Sequence, residues 1–242
     1  KVMMEIATGI LIACHPEWSP RVRSNDEIRR LGPIFNGDIL NLSGWKDNDK
    51  EGGCYRQYFP NARSYTISNY GSEVGASGTT EKELDLSIPY DGGIGTYDLV
   101  FNHTVLEHVY PTKIVFDNLS LLSRDAILTV VPFVQEMHGV CGSFADYFRY
   151  SPLAIERLFA ERGFHTVYVS WNEDYPFMNV YVIHLASKMP ERYYGVVPPR
   201  KKIQIGDTGP GTLISKFLWP PQKNRSLWRK VGDFIGYAVR YR

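Results

Sequence analysis

The sequence predicts an α/β protein built on a doubly wound, mostly parallel sheet. Three observations carry this. Short β-rich runs alternate with helical stretches, the pattern of strand–helix–strand units. The run "YDLVFNHT" at 97–104 is largely apolar, as in a strand covered on both faces. The last two β-rich runs, "HTVYVSW" and "MNVYVIHLAS", follow one another with no helix between them, which predicts an antiparallel edge strand.

Taken in order, Val2, Ile6 and Ile10 are spaced as on an amphipathic helix over 2–14. "SNDEIRRLGP" carries a Ser or Asn cap, an acidic first turn, a basic last turn and a Gly-Pro stop, so a short helix ends near Leu31. Ile39 to Ser43 reads as a buried first strand. "EGGCYRQYFPNA" makes a short helix ended by Pro60, and "SYTISN" a second strand. "LDLSIPY" reads as the third strand, "YDLVFNHT" as the fourth, "PTKIVFDNLSLLS" as a helix and "AILTVVPF" as the fifth strand. "SPLAIERLFAERGF" is the clearest helix: Ser151 caps it, Pro152 occupies its first turn and Gly163 ends it. With the last two runs the count is seven strands. The organisation is a helical lead-in over 1–35, an α/β domain over 36–190 and an extension over 191–242, where Pro, Gly and Lys/Arg accumulate.

Composition narrows the function classes. The chain has 242 residues, 43% hydrophobic and 22% charged, ordinary for a globular protein. No apolar run reaches the roughly 20 residues of a membrane span. Cys14, Cys54 and Cys141 form no disulfide or metal-ligand pattern, which predicts a reducing, cytoplasmic setting. The six histidines show no zinc-ligand spacing, so no metal is expected. The net charge of +1 hides an asymmetry: from Arg200 onward ten basic and two acidic residues give +8, against 17 basic and 24 acidic elsewhere. Within that tail Leu227, Val231, Phe234, Ile235 and Ala238 share one helical face. A basic amphipathic helix of this kind fits a peripheral contact at the inner membrane face or a protein partner, a second subunit included. Nucleic acid is not expected as a partner, since the body is acidic.

In an open α/β sheet ligands lie across the carboxyl ends of the strands. Those ends carry Ser43, Gly44 and Trp45; Ser68 and Asn69; Asp85 and Leu86; and Asn102 and His103. The loop "SGWKDNDKEGG" adds Asp47 and Asp49, acceptors for a ribose's hydroxyl donors, whereas a solvated charged loop is the plain alternative.

Around "YDLVFNHTVLEHV" the chain resembles the class I S-adenosylmethionine-dependent methyltransferases, in which a hydrophobic fourth strand is followed by a "vLEHv"-like segment. "LDLSIPYDGGIGTYDLVF" and "VPFVQEMHG" followed by "DYFRYSPLAIERLFAERGF" are similar to that family's neighbouring segments, in order, over roughly 36–187. The last segment is of the kind found in methyltransferases encoded with polysaccharide genes. The resemblance implies a Rossmann-like fold, S-adenosylmethionine as cofactor and a sugar or glycan hydroxyl as methyl acceptor. It implies an adenine contact at Asp85 and Leu86, and methionine contacts at Asn102 and His103. It places Ser43, Gly44, Trp45, Asp47 and Asn69 along the rest of the cofactor. Glu107 and His108 match the family's "EH" pair, and His138, in the loop after the fifth strand, is the candidate proton acceptor. Asp146 and Arg149 either meet the substrate or pair to anchor their loop. Two segments are written differently from the family: the first turn has Gly44 alone, and "ISNY" stands where an acid ends the second strand. An inactive methyltransferase-like scaffold for glycan assembly, or a binder of a sugar nucleotide, are the alternatives.

Overall fold

The computed structural model describes residues 19–70, 81–135, 137, 144–171 and 180–198. The lead-in helix expected over 2–14, His138 and the basic tail lie outside the described residues.

Helix α1 spans Pro20–Leu31. It starts earlier than its cap-like residues suggested, at a Ser-Pro pair in which Pro20 takes the first turn. Ser24 and Asn25, expected as caps, are buried inside it. Ser24 Oγ donates to the Arg21 carbonyl (2.9 Å) and Asn25 Nδ2 donates to the Asp49 carbonyl (3.0 Å), so these short polar side chains tie the helix down rather than begin it.

Seven strands follow: β1 (Asp38–Asn41), β2 (Ser64–Asn69), β3 (Glu81–Glu83), β4 (Tyr97–His103), β5 (Ser123–Val134), β6 (His165–Trp171) and β7 (Val180–Ser187). Helix α2 (Thr112–Leu122) joins β4 to β5, and α3 (Pro152–Ala160) precedes β6. The strand order is β3-β2-β1-β4-β5-β7-β6. Pairs among β1 to β5 are parallel, while β7 runs antiparallel to both β5 and β6. The fold class is the expected one, with β7 one place in from the edge. The crossover through α3 carries β6 past the slot beside β5, and the chain then doubles back to fill that slot.

The third strand is displaced from its expected place. "LDLSIPY" is a turn, and β3 is the preceding Glu81–Glu83, paired to Ile67–Asn69. Leu84 and Leu86 drew the assignment because they are apolar, but they pack on the core from the loop after the strand. An edge strand has one paired neighbour and tolerates the polar "EKE".

Alternation along the strands builds a core on each face. Ile39, Leu99, Phe101, Leu128 and Ile183 meet Ile28 and Leu31 of α1. Leu40, Val100, Ile127 and Val131 meet Phe116 and Leu119 of α2 and Ile155 and Phe159 of α3. Helix α3 is closed as expected: Ser151 Oγ accepts from Ala154 N (3.2 Å), and Gly163 has φ +77° just beyond its end.

Candidate active site

A cleft of about 630 Å³ opens over the carboxyl ends of β1 to β4. Its wall includes Ser43 after β1, Asn69 ending β2, Asp85 and Leu86 after β3, and His103 ending β4. Its size suits a nucleoside-sized ligand. The cleft therefore brings together most of the strand-end residues that the sequence singled out, together with His108.

The turn after β1 is held by its own groups. Ser43 N donates to Asn41 Oδ1 (2.8 Å), and Ser43 Oγ accepts from His103 N (2.9 Å), which stitches β1 to β4. Gly44 has φ +53°, and a Cβ there would stand 2.9 Å from Asn69 Oδ1 and 3.2 Å from the Ser68 carbonyl oxygen. Glycine is required because two loops meet, and Gly44 itself does not line the cleft. Trp45 opens a single 3-10 turn that ends at Asp47. Lys46, Asp47 and Lys50 all take positive φ, a concentration of backbone strain at one loop.

Asp47 and Asp49 turn inward. The Asp47 carboxylate, 4% exposed, accepts from Asn41 Nδ2 (2.7 Å), Arg56 N (2.8 Å) and Tyr65 OH (2.8 Å). Asp49 accepts from Glu51 N, Gly53 N and Tyr58 OH. Neither lines the cleft, so the ribose acceptors read from this loop are spent on folding it.

Asn102 also faces away. Consecutive strand residues point to opposite faces, and with His103 toward the cleft Asn102 enters the core beneath α2 and α3. Its Nδ2 donates to Thr129 Oγ1 (3.0 Å), and its Oδ1 is buried with no hydrogen-bond partner.

The residue that sequence reasoning missed is Arg21. It reaches from the first turn of α1 into the cleft, donating to Tyr55 OH (3.0 Å), Thr104 Oγ1 (3.1 Å) and His103 Nδ1 (2.6 Å). The Tyr181 ring lies 5.8 Å from its guanidinium carbon. Every one of these partners is neutral. Burial, reinforced by the Arg21 charge, holds His103 well below the usual imidazole range. With Nδ1 accepting from Arg21, Nε2 carries the proton and donates to Ser24 Oγ (2.8 Å). One signal for Arg21 was present: a cation in a helix's first turn opposes the helix dipole, so some other demand places it there.

On the far side of the cleft stands the "EH" pair. Glu107 is fully buried, and neither carboxyl oxygen has a hydrogen-bond partner. Burial pushes its carboxyl up to about 8, with Asp146 adding to the rise, so it is protonated at neutral pH. His108 donates from Nδ1 to the Ala145 carbonyl (2.7 Å), which leaves Nε2 as its basic nitrogen, 3.7 Å from Glu107 Oε1. Arg149 grips Asp146 with two parallel bonds (2.5 and 2.6 Å) and donates from Nε to the Gln135 carbonyl (3.0 Å). Of the two roles weighed for this pair, loop anchoring is the one its geometry performs, and neither residue lines the cleft.

Asp85 and Asn69 retain acceptor capacity at the other end. Among the described residues the Asp85 carboxylate accepts only from Ser87 N (2.7 Å), through Oδ1. Asn69 Oδ1 accepts from Tyr70 N (3.0 Å), and its Nδ2 lies 3.4 Å from Glu81 Oε2. An adenosyl ligand with a carboxylate end fits this set: acceptors at Asp85 and Asn69, and a cation without a counter-charge at Arg21. Among the described residues no group of three or more His, Cys, Asp or Glu is placed to hold a metal ion, and no helix is long and apolar enough to cross a membrane.

No family model matches the sequence, and no curated protein matches it. Solved structures do. The chain is similar to 1,6-didemethyltoxoflavin-N1-methyltransferase of Burkholderia thailandensis, solved with S-adenosylhomocysteine, at 12% identity and TM-score 0.50, over 77% of this chain and 87% of that one. It is also similar to a methyltransferase of Bacillus halodurans (8% identity, TM-score 0.49, 68% and 98% covered). A third likeness is to the N-methyltransferase NodS of Bradyrhizobium japonicum (10% identity, TM-score 0.47, 70% and 88% covered). At these identities the first likeness establishes architecture: this chain has the fold of the class I S-adenosylmethionine-dependent methyltransferases.

Proposed function

We propose that the protein is an S-adenosylmethionine-dependent methyltransferase acting on a hydroxyl of a sugar or glycan precursor. The observation that supports this best is Arg21, a cation in the cleft whose hydrogen-bond partners are all neutral. It would hold the cofactor's carboxylate, while Asp85 would accept from the adenine amino group and Asn69 from the ribose. The cofactor, when bound, supplies an electrophilic methyl group. The protein's own work is to orient the acceptor and take its proton. His108 is placed for the second task, because the Ala145 carbonyl fixes its tautomer and leaves Nε2 to receive a proton. His138 is the second candidate for that role.

Calorimetric titration with S-adenosylhomocysteine tests the reading. The wild-type protein should bind, and Arg21→Ala should weaken binding about thirtyfold, the worth of a charge-assisted hydrogen bond of roughly 2 kcal/mol. No heat at millimolar ligand would hand the fold to the scaffold alternative, and heat with a sugar nucleotide instead would hand it to that ligand class.

A further inference from the structure

The cleft has a mouth that cofactor chemistry does not explain. Tyr70, Tyr110 and Tyr147 line it and are 69%, 68% and 51% exposed. Exposed aromatic rings gathered at one opening carry a desolvation advantage that only a ligand can realise. Tyr110 and Tyr147 meet at 5.3 Å with their planes 64° apart, and Phe148 stacks on Tyr110 at 6.1 Å. The rings thus brace one another in a fixed corner. The backbone behind them is pinned as well: Tyr147 N and Phe148 N both donate to the Glu107 carbonyl (2.8 and 3.3 Å).

The corner is tied to the candidate base. Tyr110 lies two residues beyond His108, and Tyr147 two residues beyond Ala145, whose carbonyl holds the His108 ring. A ring laid on this corner is carried by the same two segments that hold Nε2. The neighbouring charges cancel, because Asp146 and Arg149 neutralise each other through their two-bond pair. The corner therefore selects neither a cation nor an anion. Flat apolar faces edged by phenol hydroxyls, without net charge, match a neutral ring that has one carbon–hydrogen face and a rim of hydroxyls.

We infer that Tyr110 and Tyr147 form the platform on which the acceptor is laid as a neutral pyranose ring. This deepens the methyl-transfer reading and rests on it. The platform residues position the ring, and the proton passes elsewhere.

The test uses the whole chain saturated with S-adenosylhomocysteine. Saturation-transfer NMR is recorded with methyl glycosides of common hexoses, deoxyhexoses and N-acetylhexosamines, and with phenol as the planar control. At least one glycoside should receive saturation on the ring hydrogens of a single face. Tyr110→Ala and Tyr147→Ala should each weaken its binding about tenfold, with Tyr110→Phe close to wild type. The heat of S-adenosylhomocysteine binding should be unchanged in all three variants, which separates the platform from the cofactor site. Binding of phenol with no glycoside, no glycoside bound to a protein that binds S-adenosylhomocysteine, or glycoside binding untouched by both alanine variants would each overturn the inference. A wild-type protein that fails to bind S-adenosylhomocysteine removes the methyl-transfer reading itself, and this inference with it.

Discussion

The two ends of the sheet treat charge in opposite ways. At the amino ends of β1 and β4, Asp38 and Asp98 share Arg63 and Arg124 in a closed network, with contacts from 2.5 to 3.2 Å. The hydrogen bond from Arg63 leads in holding the Asp38 carboxyl well below the usual range. At the carboxyl ends Arg21 has only neutral partners, and Glu107 is buried without a donor. Folding alone would select the first arrangement everywhere, since an uncompensated buried charge is costly. The second persists where something other than stability is being satisfied, and that is the end over which the cleft opens.

The largest expected effect that tests this contrast concerns Glu107. Its folded pKa is raised from 4.5 to about 8, so the folded state holds a proton that the unfolded state releases between those values. Stability should therefore fall as pH rises from about 4.5 to 8 and level off beyond, by on the order of 4 kcal/mol. Glu107→Gln should flatten that slope. Urea unfolding across this pH range checks it, and a variant with the wild-type slope would show that the carboxyl is solvated or paired after all.

Asp85→Ala should have a smaller effect. Losing one good acceptor costs about 1.4 kcal/mol, so S-adenosylhomocysteine affinity should drop about tenfold with the unfolding midpoint little changed. An unaltered affinity would move the adenine away from β3. The smallest effect belongs to the amino end. Asp38→Asn opens an exposed ion network and should leave ligand affinity where it was, because surface pairs contribute little and none of these groups reaches the cleft. A change in affinity there would break the division between the two ends.

Much of the architecture was legible because it is written in local periodicity. The nearly unbroken apolar run of β4 marked a strand covered on both faces, and Ser151, Pro152 and Gly163 marked both ends of α3. The two consecutive β runs announced the antiparallel strand. Ser43, Asn69, Asp85 and His103 could be placed at the cleft because residues leaving parallel strands gather at the carboxyl ends. The face of a strand residue was harder: alternation puts Asn102 and His103 on opposite sides, but only packing decides which of them enters the core.

The sequence by itself therefore determined the order and kind of the elements and the end of the sheet where a ligand belongs. Tertiary structure alone decided how the charges are spent. Asp47 and Asp49 looked like ligand acceptors until Tyr65, Arg56 and Tyr58 closed on them, and Arg21 looked like linker until it met His103, 82 residues away. A hydrophobic pattern is repeated within each segment and can be read there. The partner of a single polar group lies wherever the fold brings it, and no local pattern records that meeting.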